Sequence, residues 1–260
     1  MTRVISIANQ KGGVGKTTTV VNLSASLAQL QQKVLVVDMD PQGALSAGLG
    51  IDGYGLQETI YNALMDPEFA INRIVYPVQP YLDMIPANID LASAEMELIA
   101  EIRREFILQR ILEPLKQWYD FILLDCPPSL GLLTLNALCA SQEVLIPMQC
   151  EYFAMRGIRL LLDTIERIKA RLKPDLALTG ILATMYSTGT IHAREVLEEI
   201  KTVFGEKVFD VVVYKSIRFA EASVANKAML DYNERHKGAT AYQELASVLI
   251  AQTKSGPIRP

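Results

Sequence analysis

Metal-binding and redox side chains are scarce in this chain: of 260 residues, three are cysteine and two are histidine. Cys126, Cys139 and Cys150 show no CxxC spacing, and His192 and His236 lie far apart, so neither set composes a zinc or iron–sulfur ligand pattern. An odd cysteine count gives no support to a disulfide framework, and the three thiols are predicted to be buried and reduced. Basic charge is not in excess either. Lys and Arg number 25 against 29 Asp and Glu, a net charge of −4 that excludes a globally basic nucleic-acid binder and confines any DNA contact to a local patch. No apolar run approaches the ~20 residues needed to cross a bilayer, and the N-terminus enters a strand pattern without a basic, apolar leader. A cytoplasmic location is expected. No repeat or low-complexity linker divides the chain, which reads as one domain over 1–253 with a frayed tail at 254–260.

What the chain does have is a glycine-rich turn, Lys11-Gly12-Gly13-Val14-Gly15-Lys16-Thr17-Thr18, between a strand pattern at Val4–Ala8 and a helix-like run from Thr19 to Leu30. Glycines let successive backbone N–H groups converge on phosphate oxygens. Lys16 offers a point charge to the β- and γ-phosphates, and the Thr17 hydroxyl can ligand Mg²⁺ at a helix N-terminus. The common P-loop pattern has Gly where this chain has Gln10, and it makes no demand for a lysine at position 11. Lys11 is therefore a second cation at the loop mouth, leaving on the side opposite Lys16. It is suited to reach a phosphate bound by another subunit and to stabilise charge that builds up during phosphoryl transfer.

Short apolar runs alternate with longer helical patterns. Val4–Ala8, Lys33–Val37, Leu82–Ile85, Phe121–Leu124, Glu143–Ile146, Leu178–Ala183 and Lys207–Val213 read as strands, and their near-continuous apolarity predicts burial on both faces. Ile158, Leu161, Leu162, Ile165, Ile168 and Leu172 have the spacing of an amphipathic helix. The fold class expected is α/β: a mostly parallel twisted sheet with helices on both faces. Such sheets bind ligands beyond the carboxyl ends of their strands. There fall the glycine-rich loop, the segment Asp38-Met39-Asp40-Pro41-Gln42-Gly43 and the segment Asp125-Cys126-Pro127-Pro128-Ser129. An apolar strand ending in Asp is the pattern of a carboxylate that holds Mg²⁺ through water, the role assigned to Asp125. Asp38 and Asp40 lie two apart, and a turn beginning near Pro41 is expected to redirect one of them. Asp40 is assigned to orienting the attacking water and Asp38 to the metal's outer shell.

These blocks, together with Pro147-Met148-Gln149-Cys150-Glu151-Tyr152-Phe153-Ala154, resemble those of the deviant Walker A ATPases, specifically the short ParA/Soj partition proteins, from residue 1 to about 180. The resemblance implies a nucleotide-sandwich homodimer in which Lys11 crosses to the partner's ATP. Lys16 and Thr17 would bind phosphate and Mg²⁺, and Asp40 would support slow hydrolysis. It also implies a switch: an ATP dimer that binds DNA without sequence preference, associates with the nucleoid, and is stimulated by a ParB-type partner.

Toward the C-terminus the likeness thins. Where those proteins commonly read Pro-Arg-Asn before an Arg-Leu-Ser-Glu-Ala-Pro segment, this chain reads Tyr214-Lys215-Ser216-Ile217-Arg218-Phe219-Ala220-Glu221-Ala222-Ser223, with Arg218, Glu221 and Ala222 matching. Lys215, Arg218, Lys227, Arg235, His236 and Lys237 form the candidate DNA patch, with Lys215, Arg218 and Lys227 at basic positions of the family. Doubled by dimerisation, the patch would neutralise several phosphates. A MinD-like membrane ATPase would need a C-terminal helix basic on one face and bulky on the other. Tyr242 to Thr253 instead reads as a core-packing helix without a basic residue, so no membrane contact is expected. Positioning of a protein cargo by the same mechanism is the remaining alternative.

Overall fold

The computed structural model describes residues 2–151, 154–187 and 191–254. Tyr152 and Phe153 of the fourth motif, and residues 255–260 of the predicted tail, lie outside them. In chain order the elements are β1 Arg3–Ile7, α1 Lys16–Gln29, β2 Val34–Asp38, α2 Ala44–Gly48, α3 Ile60–Met65, β3 Tyr76–Gln79, β4 Leu82–Ile85, α4 Leu91–Glu97, α5 Ile107–Leu112, β5 Phe121–Asp125, α6 Leu132–Ala140, β6 Glu143–Gln149, α7 Ala154–Arg171, β7 Ala177–Tyr186, α8 Ile191–Phe204, β8 Val208–Tyr214, α9 Arg218–Val224, α10 Met229–Tyr232 and α11 Lys237–Lys254, with short 3₁₀ turns between some of them.

The eight strands form one sheet in the order β3-β4-β2-β5-β1-β6-β7-β8. Every pairing is parallel except β3 with β4. Strict alternation along the central strands feeds two separate cores. Val4, Leu35, Val37, Ile122 and Leu124 face a layer that includes α5, α6 and α7, whereas Ile5, Val34, Val36, Phe121 and Leu123 face α1 and α11. Burial on both faces explains why these strands read as unbroken apolar runs. The expected α/β architecture is present, and the seven expected strands all form, Leu82–Ile85 with the expected bounds and the others with ends shifted by one to three residues.

Strand β3 was not expected from the sequence. Its residues, Tyr76-Pro77-Val78-Gln79, are all at least partly exposed, and Pro77 interrupts the ladder where the register with β4 shifts. A proline is tolerated there because β3 is an edge strand. The C-terminal helix packs as the sequence implied: Tyr242, Leu245 and Leu249 are fully buried against α1, and the Tyr242 hydroxyl lies 3.1 Å from Thr19 Oγ1. Among the described residues, no helix is long and apolar enough to cross a membrane. All three cysteines are free and buried, as expected.

Candidate nucleotide site

Strand β1 lies at the centre of the sheet, flanked by β5 and β6, so its carboxyl end opens onto the switch point between the two halves. The turn that leaves it is held from β6 and β7 and by a bond of its own. Asn9 Nδ2 donates to Pro147 O at 2.7 Å, while its Oδ1 accepts from the Lys11 N–H at 3.0 Å. Thr184 Oγ1, on β7, donates to Val14 O at 2.7 Å and anchors the far limb. Gly13 and Gly15 take φ values of 70° and 87°, a left-handed backbone that a side chain strains. Gly15 precedes α1 and supplies no side-chain cap, so the first-turn N–H groups of a 14-residue helix are left for an anion.

The two lysines are placed differently. Lys16 is only 7% exposed, with its Nζ folded back to 3.4 Å from Lys11 O. Burial lowers its pKa, opposed by the charges of Asp125, Cys126 and Asp40. Lys11 stands at the loop mouth with its side chain 46% exposed, ion-paired to Glu151 at the end of β6.

The carboxylates gather on the neighbouring strands. Asp38 and Asp125 are register partners at the ends of β2 and β5, both fully buried, and Met39 N donates to Asp125 O at 3.0 Å. Burial raises the pKa of each, to about 6 for Asp38, and the charge of Asp38 raises Asp125 further. Thr17 Oγ1 donates to Asp125 Oδ2 at 2.7 Å. The other oxygen, Oδ1, is buried and has no hydrogen-bond partner. An orphaned carboxylate oxygen costs several tenths to a few kcal/mol unless something occupies it. Beside a threonine hydroxyl at the mouth of a phosphate cradle, the all-oxygen donor set fits Mg²⁺ and its bound water.

Asp38 is turned the other way. Its Oδ1 accepts from Asp40 N at 3.1 Å, and its Oδ2 accepts from Ser46 N and Ser46 Oγ at 2.9 and 2.8 Å. One oxygen thus holds the Asp40 turn and the other holds α2 through Ser46, and the like charge of Asp38 acts on Asp125 from the adjacent strand. Asp40 is half-exposed, and its Oδ1 accepts from Gln42 N at 3.0 Å in the turn that Pro41 and Gly43 complete. Asp40 thus engages the turn that follows it, while its charge still raises the pKa of Asp38. Gly12, Gly13, Thr17, Thr18, Lys16, Asp40 and Asp125 converge on the same end of the sheet. Asn9, Ser46, Glu151 and Thr184 were not assigned from the sequence. Glu151 stood inside a quoted motif, Asn9 just before the glycine-rich turn and Thr184 on an expected strand's continuation, but only the fold shows what they touch.

Of the candidate DNA residues, Lys215 directly follows the edge strand β8, Arg218 opens α9, and Lys227 lies between α9 and α10, where the neighbouring Met229 N is bonded to Asn22 of α1. Lys215 N donates to Tyr186 O at 3.0 Å, fixing the exit of β8, and the Lys215, Arg218 and Lys227 side chains are exposed. Arg218 is ion-paired to Glu221 at 2.6 Å, which raises its pKa and lowers that of Glu221. His236 has both ring nitrogens engaged within the chain. Its Nδ1 accepts from Gly238 N at 2.9 Å, its Nε2 lies 3.1 Å from Ser216 Oγ, and the ring packs edge-on to Phe219, so it caps α11.

A glycine-rich cradle, a buried lysine, a threonine and a strand-end aspartate define a P-loop nucleotide hydrolase of the deviant Walker A class. Residues 2–178 match the AAA domain family. Over 251 residues the chain is 46% identical to the sporulation initiation inhibitor protein Soj of Bacillus subtilis, covering 96% of this chain and 99% of that one. It is also 46% identical over 259 residues to the chromosome partitioning protein ParA of Myxococcus xanthus, covering 99% of this chain and 91% of the other. A solved structure of cobyrinic acid a,c-diamide synthase from Mycobacterium smegmatis, with bound ATP analog and magnesium, is 38% identical with a TM-score of 0.87, covering 100% of this chain and 99% of that one. The chain belongs to the ParA/Soj/MinD family of P-loop ATPases, and as such it is an ATP-hydrolysing enzyme.

Proposed function

We propose that this ATPase is a partition or positioning switch: it closes into a homodimer on Mg·ATP, binds DNA without sequence preference in that state, and is reset by hydrolysis that a ParB-type partner stimulates. The observation that carries the reading is the contrast between its two loop lysines. Lys16 is buried inside its own cradle, whereas the Lys11 amine is half-exposed at the mouth and, among the described residues, is ion-paired to the single carboxylate of Glu151. A cation so placed serves a phosphate that arrives from outside the subunit. The names of the relatives, Soj and a chromosome partitioning ParA, support the segregation role.

In this reading Thr17 and Asp125 hold Mg²⁺, with Asp38 behind them, and Mg²⁺ when bound neutralises charge on the β- and γ-phosphate oxygens. The backbone N–H groups of Gly12, Gly13, Val14, Gly15 and Thr18 bind phosphate, and Lys16 pairs with it. Asp40, engaged with its turn, accepts a hydrogen bond from the attacking water and holds it in line. Lys11 of each subunit completes the other's site. A triphosphate then makes contacts in the dimer that a diphosphate lacks, which is the differential affinity a two-state switch needs. Lys215, Arg218 and Lys227, presented twice, form the DNA face. The buried apolar side of α11 leaves no bulky face for lipid among the described residues, in keeping with a cytoplasmic, nucleoid-associated protein.

Cosedimentation with DNA or with anionic liposomes, under ATP, ADP or no nucleotide, tests the proposal. Pelleting with DNA only under ATP is expected, with Asp40→Ala locking the DNA-bound form. Pelleting with liposomes instead would replace the partition reading with a membrane one.

A further inference from the structure

The segment that follows β8 is a small structure of its own. Helices α9 and α10 and the start of α11 share a small apolar cluster of Ala222, Met229, Leu230 and Ala239, while Ala228 and Phe219 join the segment to the core beneath α1 and α11. So few apolar contacts leave the segment's exact placement to be shared with its polar ties to the main body. Two of those ties bracket Lys227.

The first comes from α1, the helix that opens with Lys16 and Thr17. Asn22 is 5% exposed. Its Nδ2 donates to Thr18 O at 2.7 Å, and its Oδ1 accepts from Met229 N at 2.7 Å. One amide thus joins the carbonyl of a phosphate-loop residue to the backbone two residues beyond Lys227. The second tie comes from α2, the helix that follows the Asp40 turn. Asn226 ends α9 in the left-handed conformation, φ 53°, with Asn226 N donating to Ser223 O and Lys227 N to Ala222 O, both at 3.0 Å. That is a Schellman C-cap in which asparagine takes the place usual for glycine. With its amide assigned so that the NH₂ faces the surrounding carbonyls, the side chain donates to Ala47 O at 3.0 Å and to Ser223 O at 3.3 Å. Ala47 adjoins Ser46, which Asp38 holds by two hydrogen bonds of 2.9 and 2.8 Å.

We propose that Asn22 and Asn226 are positioning residues through which the nucleotide state sets the placement of the basic loop carrying Lys227. Each amide is a short, directional link with one end on an element of the phosphate site and the other on the loop. A shift of α1 or of the Asp40–α2 segment when a triphosphate is bound is therefore transmitted to Lys227 on both sides. The consequence for DNA rests on the partition reading above; the link itself does not.

Hydrogen exchange of the stretch 222–232 in the full-length protein tests the link directly, with Mg·ATPγS, Mg·ADP and no nucleotide compared. Exchange at Lys227 and Met229 is expected to slow about fivefold or more with Mg·ATPγS relative to Mg·ADP. Asn226→Gly keeps the left-handed backbone without strain and removes only the amide, and Asn22→Ala removes the other tie. Each is expected to shrink the nucleotide-dependent difference while nucleotide affinity, followed with a fluorescent ATP analogue, is retained. Identical exchange in all three states of the unmodified protein overturns the proposal, and so does a difference that survives intact in Asn226→Gly, the variant chosen to fold if Asn22→Ala does not. Duplex affinity of Lys227→Ala is measured alongside. Exchange that behaves as expected while Lys227→Ala binds DNA normally upholds the link and removes the DNA reading.

Discussion

Lys11 and Glu151 of the same chain are ion-paired across the mouth of the phosphate loop, with side chains 46% and 50% exposed. A pair this open contributes at most about 1 kcal/mol. It competes with any role of Lys11 in a second subunit, because the amine must leave Glu151 before it reaches a foreign phosphate. Glu151→Gln is therefore expected to favour the ATP dimer by up to about fivefold in dissociation constant. Lys11→Ala is expected to keep monomer nucleotide binding and lose the dimer. Light scattering across a protein dilution series with ATP reads both, and a Lys11→Ala dimer as tight as the unmodified one would end the trans assignment.

Lys16 has the opposite environment. Buried and with its pKa lowered by desolvation, it is a cation kept partly dry beside the first-turn N–H groups of α1. Charge-assisted hydrogen bonds to phosphate in such a site are each about 1.5–3 kcal/mol. Lys16→Ala is expected to weaken ATP binding by roughly 100-fold, whereas Lys11→Ala changes it little. Titration of each monomeric variant with a fluorescent ATP analogue separates the two lysines, and equal losses in both would show that they share one phosphate.

Most of the sheet was legible because burial on both faces leaves each central strand apolar, and the phosphate loop was legible because its glycines and Lys16-Thr17 are contiguous. Residues whose partner is far away in sequence gave no such signal. Thr184 reaches Val14 across 170 residues and Asn9 reaches Pro147 across 138, contacts that no local spacing encodes. Asp38 was assigned to the metal's outer shell; the fold adds that both its oxygens are engaged by Asp40 and Ser46. His236 was read by its charge type, and only the packing of α11 shows it as a cap. β3 was hidden because an exposed edge strand needs no apolar alternation.

Asp38 and Asp125 make the site a stored electrostatic load. Both are fully buried register partners, and burial holds both pKa values above the ordinary carboxylate value near 4, with the charge of Asp38 raising Asp125 further. A carboxyl whose folded pKa is raised binds more protons folded than unfolded in that window, so the stability of the nucleotide-free protein falls as pH rises through it. Asp125→Asn removes one charge while its amide oxygen keeps an acceptor for Thr17. The variant is expected to melt about 3 °C higher than the unmodified protein at neutral pH without nucleotide. Its advantage should shrink on acidification, because protonation then does what the substitution does. Mg·ATP should reverse the order, raising the melting temperature of the unmodified protein alone. Thermal melts from pH 5 to pH 8 in EDTA and in Mg·ATP read all three, and an advantage that grows toward acid pH would contradict the assignment.

Arg218 and Lys215 are unequal members of the candidate DNA face. Lys215 stands exposed at the end of β8, but Arg218 is already paired with Glu221, whose other neighbour is the Tyr232 hydroxyl at 3.1 Å. A phosphate that takes Arg218 displaces an existing partner, so the net gain is an exchange of one acceptor for another, and Glu221 is left as a like charge beside the DNA. Lys215→Ala is thus expected to weaken duplex binding of the ATP form more than Arg218→Ala does. Glu221→Gln should strengthen it, by removing both the competitor and the repulsion. If both basic residues contact phosphate in each subunit, the double substitution removes about four contacts per dimer. The slope of log affinity against log salt should then flatten by roughly 3 to 4. Anisotropy of a labelled random-sequence duplex over a salt series, with dimerisation checked in parallel, measures each of these. Were Glu221→Gln to weaken binding instead, Glu221 would be orienting Arg218 toward the phosphate, and the pair would belong to the interface as a unit.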